Sequence, residues 1–244
     1  MYQPFDKHFA GLSPTDGTVD FYFRVNALAD PAGTYLDYGA GRAGWFEDDP
    51  IAPRRALRSM KGKFAKVIAA DIDPVVMENR SADRTVMISE DRVELEDESA
   101  DVIVADYVIE HIADPGAFAG EISRLLRPGG WFCARTPHRA HYIALAERII
   151  PERIEGRVLG TAQPGRKAMD VFPKTYRMNT LVDIAAAFPG WTNRSFCRRC
   201  DPAYFFGSRP IYQIADFMHR VMPAPFCGNI FVFLQKPSPG GSNQ

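Results

Sequence analysis

The chain has 244 residues, 46% hydrophobic and 24% charged, with 29 Lys plus Arg against 30 Asp plus Glu and a net charge of -1. That composition supplies apolar material for one large core and excludes a chain disordered over most of its length. The balanced charge argues against a generally basic nucleic-acid binder, and the sequence has no apolar run of about 18 residues that would cross a membrane.

The opening MYQPFDKHFAGLSP lacks a basic stretch followed by an apolar one, so no signal peptide is expected, and a cytoplasmic location is. Residues 13–30 begin with the turn SPTDG. Val19, Tyr22, Phe23 and Leu28 then recur at near-helical spacing, predicting a helix with Asp16 as cap. TYLDYGAGRAG is a short buried strand that stops at a glycine-rich turn. Residues 45–53 are expected as loop and RRALRSMKGK as the next helix. KVIAADID is a second strand ending in Asp71 and Asp73, and Pro74 suits the first position of a helix. RTVMIS is a third strand, and EDRVELEDES an acidic loop. ADVIVADY is a fourth strand, continuous in Val and Ile as strands covered on both faces tend to be. PGAFAGEISRLL is an amphipathic helix, RPGG a turn and GWFCART a fifth strand. This alternation predicts an α/β fold, a doubly wound, Rossmann-like sheet whose ligands bind outside the carboxyl ends of the strands.

The second half is less regular. HYIALAERII reads as a helix, and residues 151–179, rich in Arg, Gly and Pro, as a lid or substrate-facing insertion. NTLVDIAAAF is a short helix capped by Asn179 or Thr180. NRSFCRRC and CGNIFVFLQK are two more strands, separated by the helix PIYQIADFMHRVM. Its Ile211, Ile214, Phe217, Met218 and Val221 share one face, which is read as a core face. The tail PSPGGSNQ is a flexible end. The four cysteines, Cys133, Cys197, Cys200 and Cys227, are expected as thiols, because the single CxxC at 197–200 has no second half to complete a metal site. No metal is expected.

Gly39, Gly41 and Gly44 form GxGxxG after a strand, and Asp71 ends the next strand. Glycines let backbone approach a ligand, and a carboxylate there accepts hydrogen bonds from both hydroxyls of a ribose. Dinucleotides and S-adenosylmethionine both use this arrangement. Asp37, two residues before the first glycine, would repel a pyrophosphate but attract an ammonium or sulfonium. The expected delay of the following helix beyond Gly44 also places its N-terminus poorly for an anion.

The motifs LDYGAGRAG, VIAADIDP, EDRVELEDESADVIVADYVIEHIADP and EISRLLRPGGWF, over about residues 34–136, resemble the class I S-adenosylmethionine-dependent methyltransferases, particularly the type 11 group. The resemblance implies a seven-stranded, mostly parallel sheet with the last strand, CGNIFVFLQK, antiparallel. It also implies S-adenosylmethionine as methyl donor. It places Asp37, Gly39, Ala40 and Gly41 under the donor's methionine part, Asp71 on the ribose and Ile72 beside adenine. Asp91, with Arg92 next to it, matches the carboxylate that receives the adenine amino group, although the chain after it, LEDES, is about two residues shorter than the family's usual step. Asp106 and Tyr107, ending the fourth strand, fall near the methionine end. A single domain is expected: an N-terminal helical segment (1–33), a donor-binding core (34–136), a helical lid and acceptor insertion (137–180), and C-terminal strands and helices (181–236).

An oxygen acceptor needs a base, and histidine suits that task near neutral pH. His138, after the fifth strand, is the first candidate and His111, past the fourth, the second, while His8 and His219 are read as ordinary. Tyr142 and Tyr176 are candidate acceptor contacts, as is Arg177, with Arg166, Lys167 and Lys174 nearby. Arginine favours carboxylate or phosphate partners, so an anionic acceptor is one reading and a solvated basic face the other. The expected partner is a small-molecule or glycan-type acceptor rather than nucleic acid. A nicotinamide-dependent oxidoreductase and a non-catalytic S-adenosylmethionine-binding module are the alternatives.

Overall fold

The computed structural model describes residues 11–90, 92–147, 174–202 and 205–238. Its centre is a sheet of nine described strands: β1 (Thr34–Tyr38), β2 (Lys66–Asp71), β3 (Arg84–Ser89), β4 (Arg92–Val93), β5 (Ala100–Asp106), β6 (Leu126–Pro137), β7 (Thr192–Asn193), β8 (Phe196–Arg199) and β9 (Gly228–Gln235). They run in the order β4-β3-β2-β1-β5-β6-β9-β7, and β8 also pairs with β9. The stretch β3-β2-β1-β5-β6 is parallel, and β9 runs antiparallel to β6, as expected for the last strand. Two short pieces raise the count above seven. β4 interrupts the acidic loop, and the sixth expected strand is divided into β7 and β8 around Arg194 and Ser195.

The parallel strands are apolar on both faces because both are covered. Leu36, Ile68, Ile103, Val232 and Leu234 point into one layer, while Tyr35, Val67, Val102, Val104 and Phe231 point into the other. This is the two-residue alternation of a pleated strand, with each phase finding its own core. Helix α4 (Pro115–Leu125) closes the first layer with Phe118, Ile122 and Leu125, joined by Ile184 and Phe188 from α6 (Leu181–Ala187) and the residue after it. Helix α1 (Gly17–Asn26) closes the second with Phe21, Tyr22 and Val25. Asp16 caps α1 by accepting from Thr18 and Val19 N–H. Of the expected apolar face of α1, Tyr22 is buried, but Phe23 is 68% exposed and Phe21 is buried in its stead.

Two short helices, α2 (Gly44–Asp48) and α3 (Ala52–Arg58), follow β1. The helix expected at 54–63 therefore starts earlier and stops at Ser59, leaving Met60 and Phe64 to pack into the core. Pro74 opens a 3-10 turn (Pro74–Glu78) rather than a full helix. Thr180, one of the two expected caps, caps α6 by accepting from Asp183 N–H. Only Tyr142–Glu147 (α5) of the expected lid helix is described, and the remainder, 148–173, lies outside the described residues.

The helix α7 (Arg209–Val221) is the clearest departure from expectation. It is anchored through Tyr212 and His219, and its apolar face is turned outward: Ile214, Phe217 and Val221 are 62%, 64% and 63% exposed. Periodicity reports which face is apolar but not what lies against it. A one-turn helix, α8 (Ala224–Cys227), leads into β9. No helix of the described residues is long and apolar enough to cross a membrane.

Candidate functional site

The strand order reverses between β1 and β5, so the crevice at their carboxyl ends is where this topology places a ligand. The turn after β1 forms one wall. Gly39 (φ 74°) and Gly41 (φ 49°) are left-handed, as is Ala43 (φ 53°). A Cβ on Gly39 would lie 2.4 Å from Val108 Cγ2, whereas one on Gly41 would meet nothing within 4 Å. The first glycine therefore lets the loop pass the chain that follows β5, and the second leaves bare backbone with open space beside it. Gly39 and Ala40 N–H both donate to Ala70 O (2.7 and 3.0 Å), tying the loop to β2.

Asp71 is 8% exposed. It accepts from Gly41 N–H at Oδ2 and from Asp73 N–H at Oδ1, both at 2.8 Å. Each oxygen keeps a further lone pair for a ligand hydroxyl. The following turn is capped by Asp73, which accepts from Val75 N–H (2.9 Å), so Asp71 is not needed as a cap. Beside it Ile72 and Met77 are 59% and 61% exposed, an apolar surface at the end of β2. These features fit an adenosyl group: paired acceptors, open backbone and an uncovered apolar shelf.

A helix does begin at Gly44, contrary to expectation, because the left-handed Ala43 turns the chain directly into α2. That helix is five residues long, has no side-chain cap and carries Glu47 in its first turn. It is too short and too acidic to be a strong anion site.

A buried ionic cluster that the sequence reading missed lies next to the loop. Asp106 and Arg135 are register partners on β5 and β6. Arg135 Nε donates to Asp106 Oδ1 (2.8 Å) and Nη2 to Oδ2 (2.9 Å). The side chains are 4% and 8% exposed for Arg135 and Asp106. Tyr22 Oη donates to Asp106 Oδ2 (3.1 Å), and Arg58 Nη2 is 3.5 Å from the same oxygen. Burial pushes Asp106 up, but Arg135, Arg58 and Tyr22 outweigh it and hold the carboxyl below its usual range. Asp106 is therefore engaged by cations of the fold instead of lying open to the crevice. Tyr107 (φ 61°) follows it, with Arg135 4.6 Å from its ring centroid and its Oη accepting from Asn229 Nδ2 (2.7 Å).

Asp37 feels the same cluster. Burial raises its pKa to about 7, with Arg58 opposing and the carboxylates of Asp106 and Asp71 reinforcing the rise. Arg58 lies over the rings of Trp45 (4.5 Å) and Tyr22 (5.2 Å). Its Nε is buried with no hydrogen-bond partner. A carboxyl near its midpoint at neutral pH and a guanidinium with a donor to give suit the ammonium and carboxylate of an amino-acid group.

The 3-10 turn Ile109–His111 follows Val108 and so adjoins the glycine loop. Glu110, 3% exposed, accepts from Thr136 Oγ1 (2.7 Å), and burial raises its pKa to about 7. Thr175 and Tyr176 N–H donate to Glu110 O (2.7 and 3.2 Å), which brings Tyr176 and the exposed Arg177 to the turn that carries His111. His138 accepts from Ala140 N–H at Nδ1 (3.0 Å), and burial, then Arg139, lower its pKa. Neutral His138 therefore carries its proton on Nε2. His141 stacks on Tyr142 with centroids 4.6 Å apart. Tyr142 Oη is 3.3 Å from His219 Nε2, and His219 Nδ1 is 2.7 Å from Cys200 O. His219, read as ordinary, is thus the buried joint between α5 and α7.

The structure does not bring all the expected residues together. Asp91, Arg166 and Lys167 lie outside the described residues, and Arg92 is exposed on β4 at the sheet's far edge. Cys197 and Cys200 pack into opposite layers of the sheet, so the CxxC cannot share one metal or one disulfide, and all four cysteines are free. Among the described residues no group of three or more His, Cys, Asp or Glu is placed to hold a metal.

Residues 18–168 match a family described as "Methyltransferase domain". A 45-residue stretch is 51% identical to a Mycolicibacterium smegmatis protein named as a probable S-adenosylmethionine-dependent methyltransferase, covering 18% of this chain and 18% of that protein's length. In fold, the chain is similar to one in the Haloferax volcanii complex of the Trm112 methyltransferase activator with a methyltransferase (TM-score 0.56, 18% identity, 91% of this chain and 92% of that one). It is also similar to geranyl diphosphate C-methyltransferase from Streptomyces coelicolor (TM-score 0.53, 12% identity, 89% and 77%).

Proposed function

The chain belongs to the methyltransferase domain family, and from that premise we propose that it transfers a methyl group from S-adenosylmethionine to an oxygen of a small-molecule or glycan-type acceptor. The observation that carries this is Asp71, held by two backbone N–H groups at the end of β2 beside a bare glycine turn and an exposed Ile72. When bound, S-adenosylmethionine supplies an activated methyl group on a sulfonium sulfur. Asp71 would accept from the ribose hydroxyls, and Ile72 would cover adenine. Asp37 takes the ammonium and Arg58 the carboxylate, against the backbone of Gly39, Ala40 and Gly41. Asp106 positions Arg58 and Arg135, and Tyr107 borders the methionine end. The protein's main work is then alignment and exclusion of water, since the donor is already activated. A nicotinamide cofactor suits the site less well, because the Asp37 carboxylate, two residues before Gly39, would repel a pyrophosphate laid against the glycine turn.

Asp37 makes donor binding pH-dependent. The free protein holds this carboxyl protonated below about pH 7, and a bound ammonium favours the ionised form. Affinity for S-adenosylhomocysteine should therefore rise about tenfold between pH 6 and pH 8. In Asp37→Asn the affinity should be weaker and flat with pH. An unchanged slope in the variant would assign the titration elsewhere.

The acceptor side is assigned to residues 137–180, with Tyr142, Tyr176 and Arg177 as contacts. His111 is the stronger base candidate: the turn that carries it follows Val108, which lies against Gly39, whereas His138 Nδ1 already accepts from Ala140 N–H. With the acceptor identified, His111→Ala should lower kcat by about 10²-fold or more and flatten the acid limb of the pH profile. His138→Ala should lower kcat much less, and Arg177→Ala should raise acceptor KM. Equal, small effects of both histidine variants would leave catalysis to alignment alone. The four free cysteines accord with a cytoplasmic location.

A further inference from the structure

The outward face of α7 is not explained by methyl transfer. Ile211, Ile214, Phe217, Met218 and Val221 recur at spacings of three and four and are 40–64% exposed. Tyr212 and His219, the side chains that hold the helix to the body, lie about 150° away around its axis at 100° per residue. The helix therefore directs its most apolar stripe away from the core. A third strip, between these two faces, carries Arg209, Gln213 and Arg220, all exposed. The helix has one acid, Asp216, which is 15% exposed in its side chain and paired with Arg220 (3.0 Å). The exposed Arg199, whose Nε donates to Met222 O (2.9 Å), adds a further positive charge at the helix's C-terminal end. Phe206, just before the helix, and Phe226, just after it, are 50% and 42% exposed.

We propose that α7 is an in-plane membrane-docking helix, which lays its Ile/Phe/Val stripe into the interfacial region of a bilayer with its arginines on anionic headgroups. An apolar stripe bordered by arginines is the arrangement by which a surface helix seats itself at the boundary between headgroups and acyl chains. The charge selects the lipid: the arginines outnumber the single, largely buried acid, so an anionic surface is preferred over a zwitterionic one. A second copy packed antiparallel on the stripe fits less well, because the two arginine strips would then lie along each other. His219 joins α7 to Tyr142 on α5, so docking also holds the acceptor-side helix next to the lipid surface. The docking itself does not depend on which acceptor is methylated.

The test is flotation of the full chain with vesicles of phosphatidylcholine alone and of phosphatidylcholine with a quarter phosphatidylglycerol. The expected result is binding to the anionic vesicles, at least tenfold weaker binding to the neutral ones, and weakening as salt rises. The double variant Ile214→Ser, Phe217→Ser should lose at least tenfold of that binding, and Arg209→Gln, Arg220→Gln should lose the preference for anionic vesicles. Both variants should keep wild-type affinity for S-adenosylhomocysteine, which confirms that they fold and separates this proposal from the methyl-transfer reading. No vesicle binding by the wild type overturns the proposal. So does a stable dimer that Ile214→Ser, Phe217→Ser disperses, since the stripe would then be covered by a second copy.

Discussion

Replacing Arg135 by Met should destabilise the protein by about 3–5 kcal/mol, because it leaves the Asp106 carboxylate buried without its main partner. At this chain length that loss lowers the melting temperature by roughly 10 °C. The cost comes from the orphaned charge more than from the pair's net worth, so Asp106→Asn added to Arg135→Met should recover a large part of the loss. The pH dependence gives the sign independently. Asp106 in the native fold is held below its unfolded value, so its contribution is present above about pH 4 and fades as pH falls through the native pKa. In Arg135→Met the carboxyl has lost its largest stabilising cation and burial pushes it up, so acid relieves the strain. The gap between wild type and variant should narrow in urea titrations as pH falls through the variant's raised Asp106 pKa toward the lowered wild-type one. A gap of the same size at pH 3 and pH 7 would mean that the loss is one of packing and not of charge.

Asp71→Ala should weaken S-adenosylhomocysteine binding by about 2–4 kcal/mol, roughly 30- to 1000-fold, the loss of two hydrogen bonds to a charged acceptor. The same substitution strips the partners of Gly41 and Asp73 N–H, so some loss of stability accompanies it. Asp71→Asn separates the two effects. It keeps an oxygen for one backbone donor but halves the acceptors open to a ribose. Its binding should fall between wild type and Asp71→Ala, with stability closer to wild type. Loss of stability with unchanged affinity would make Asp71 a fastener of the glycine loop and nothing more.

These two residues also show how far the sequence could be read. Asp71 was legible because its meaning is local: a strand, a terminal acid and a glycine turn on the strand before it. The two-sided burial of β5 was legible for the same reason, as a run of Val, Ile and Ala. The Asp106–Arg135 pair was not, because its members are 29 positions apart and meet only through the register of β5 on β6. One signal was available: Arg135 is a charge at the end of the apolar run WFCA, next to a strand that ends in Asp106. Arg58 and Tyr22 carried no such mark, since each reaches the site from a helix on another part of the chain. The outward stripe of α7 illustrates a different limit. Its period was read correctly and its direction was not, because an apolar face facing solvent and one facing the core have the same spacing. On α1 the buried Tyr22 was read correctly, but Phe21 is buried where Phe23 was expected.

The crevice beyond β1, β2 and β5 is proposed as the site of an adenosyl amino acid. The decisive measurement is calorimetric titration of the wild-type protein with S-adenosylhomocysteine, with NAD as the comparison, since this product of methyl transfer binds without turnover. The wild type should bind S-adenosylhomocysteine at one site, with Asp71→Ala at least tenfold weaker, and should show no measurable binding of NAD. Binding of NAD without S-adenosylhomocysteine, or of neither, would contradict it.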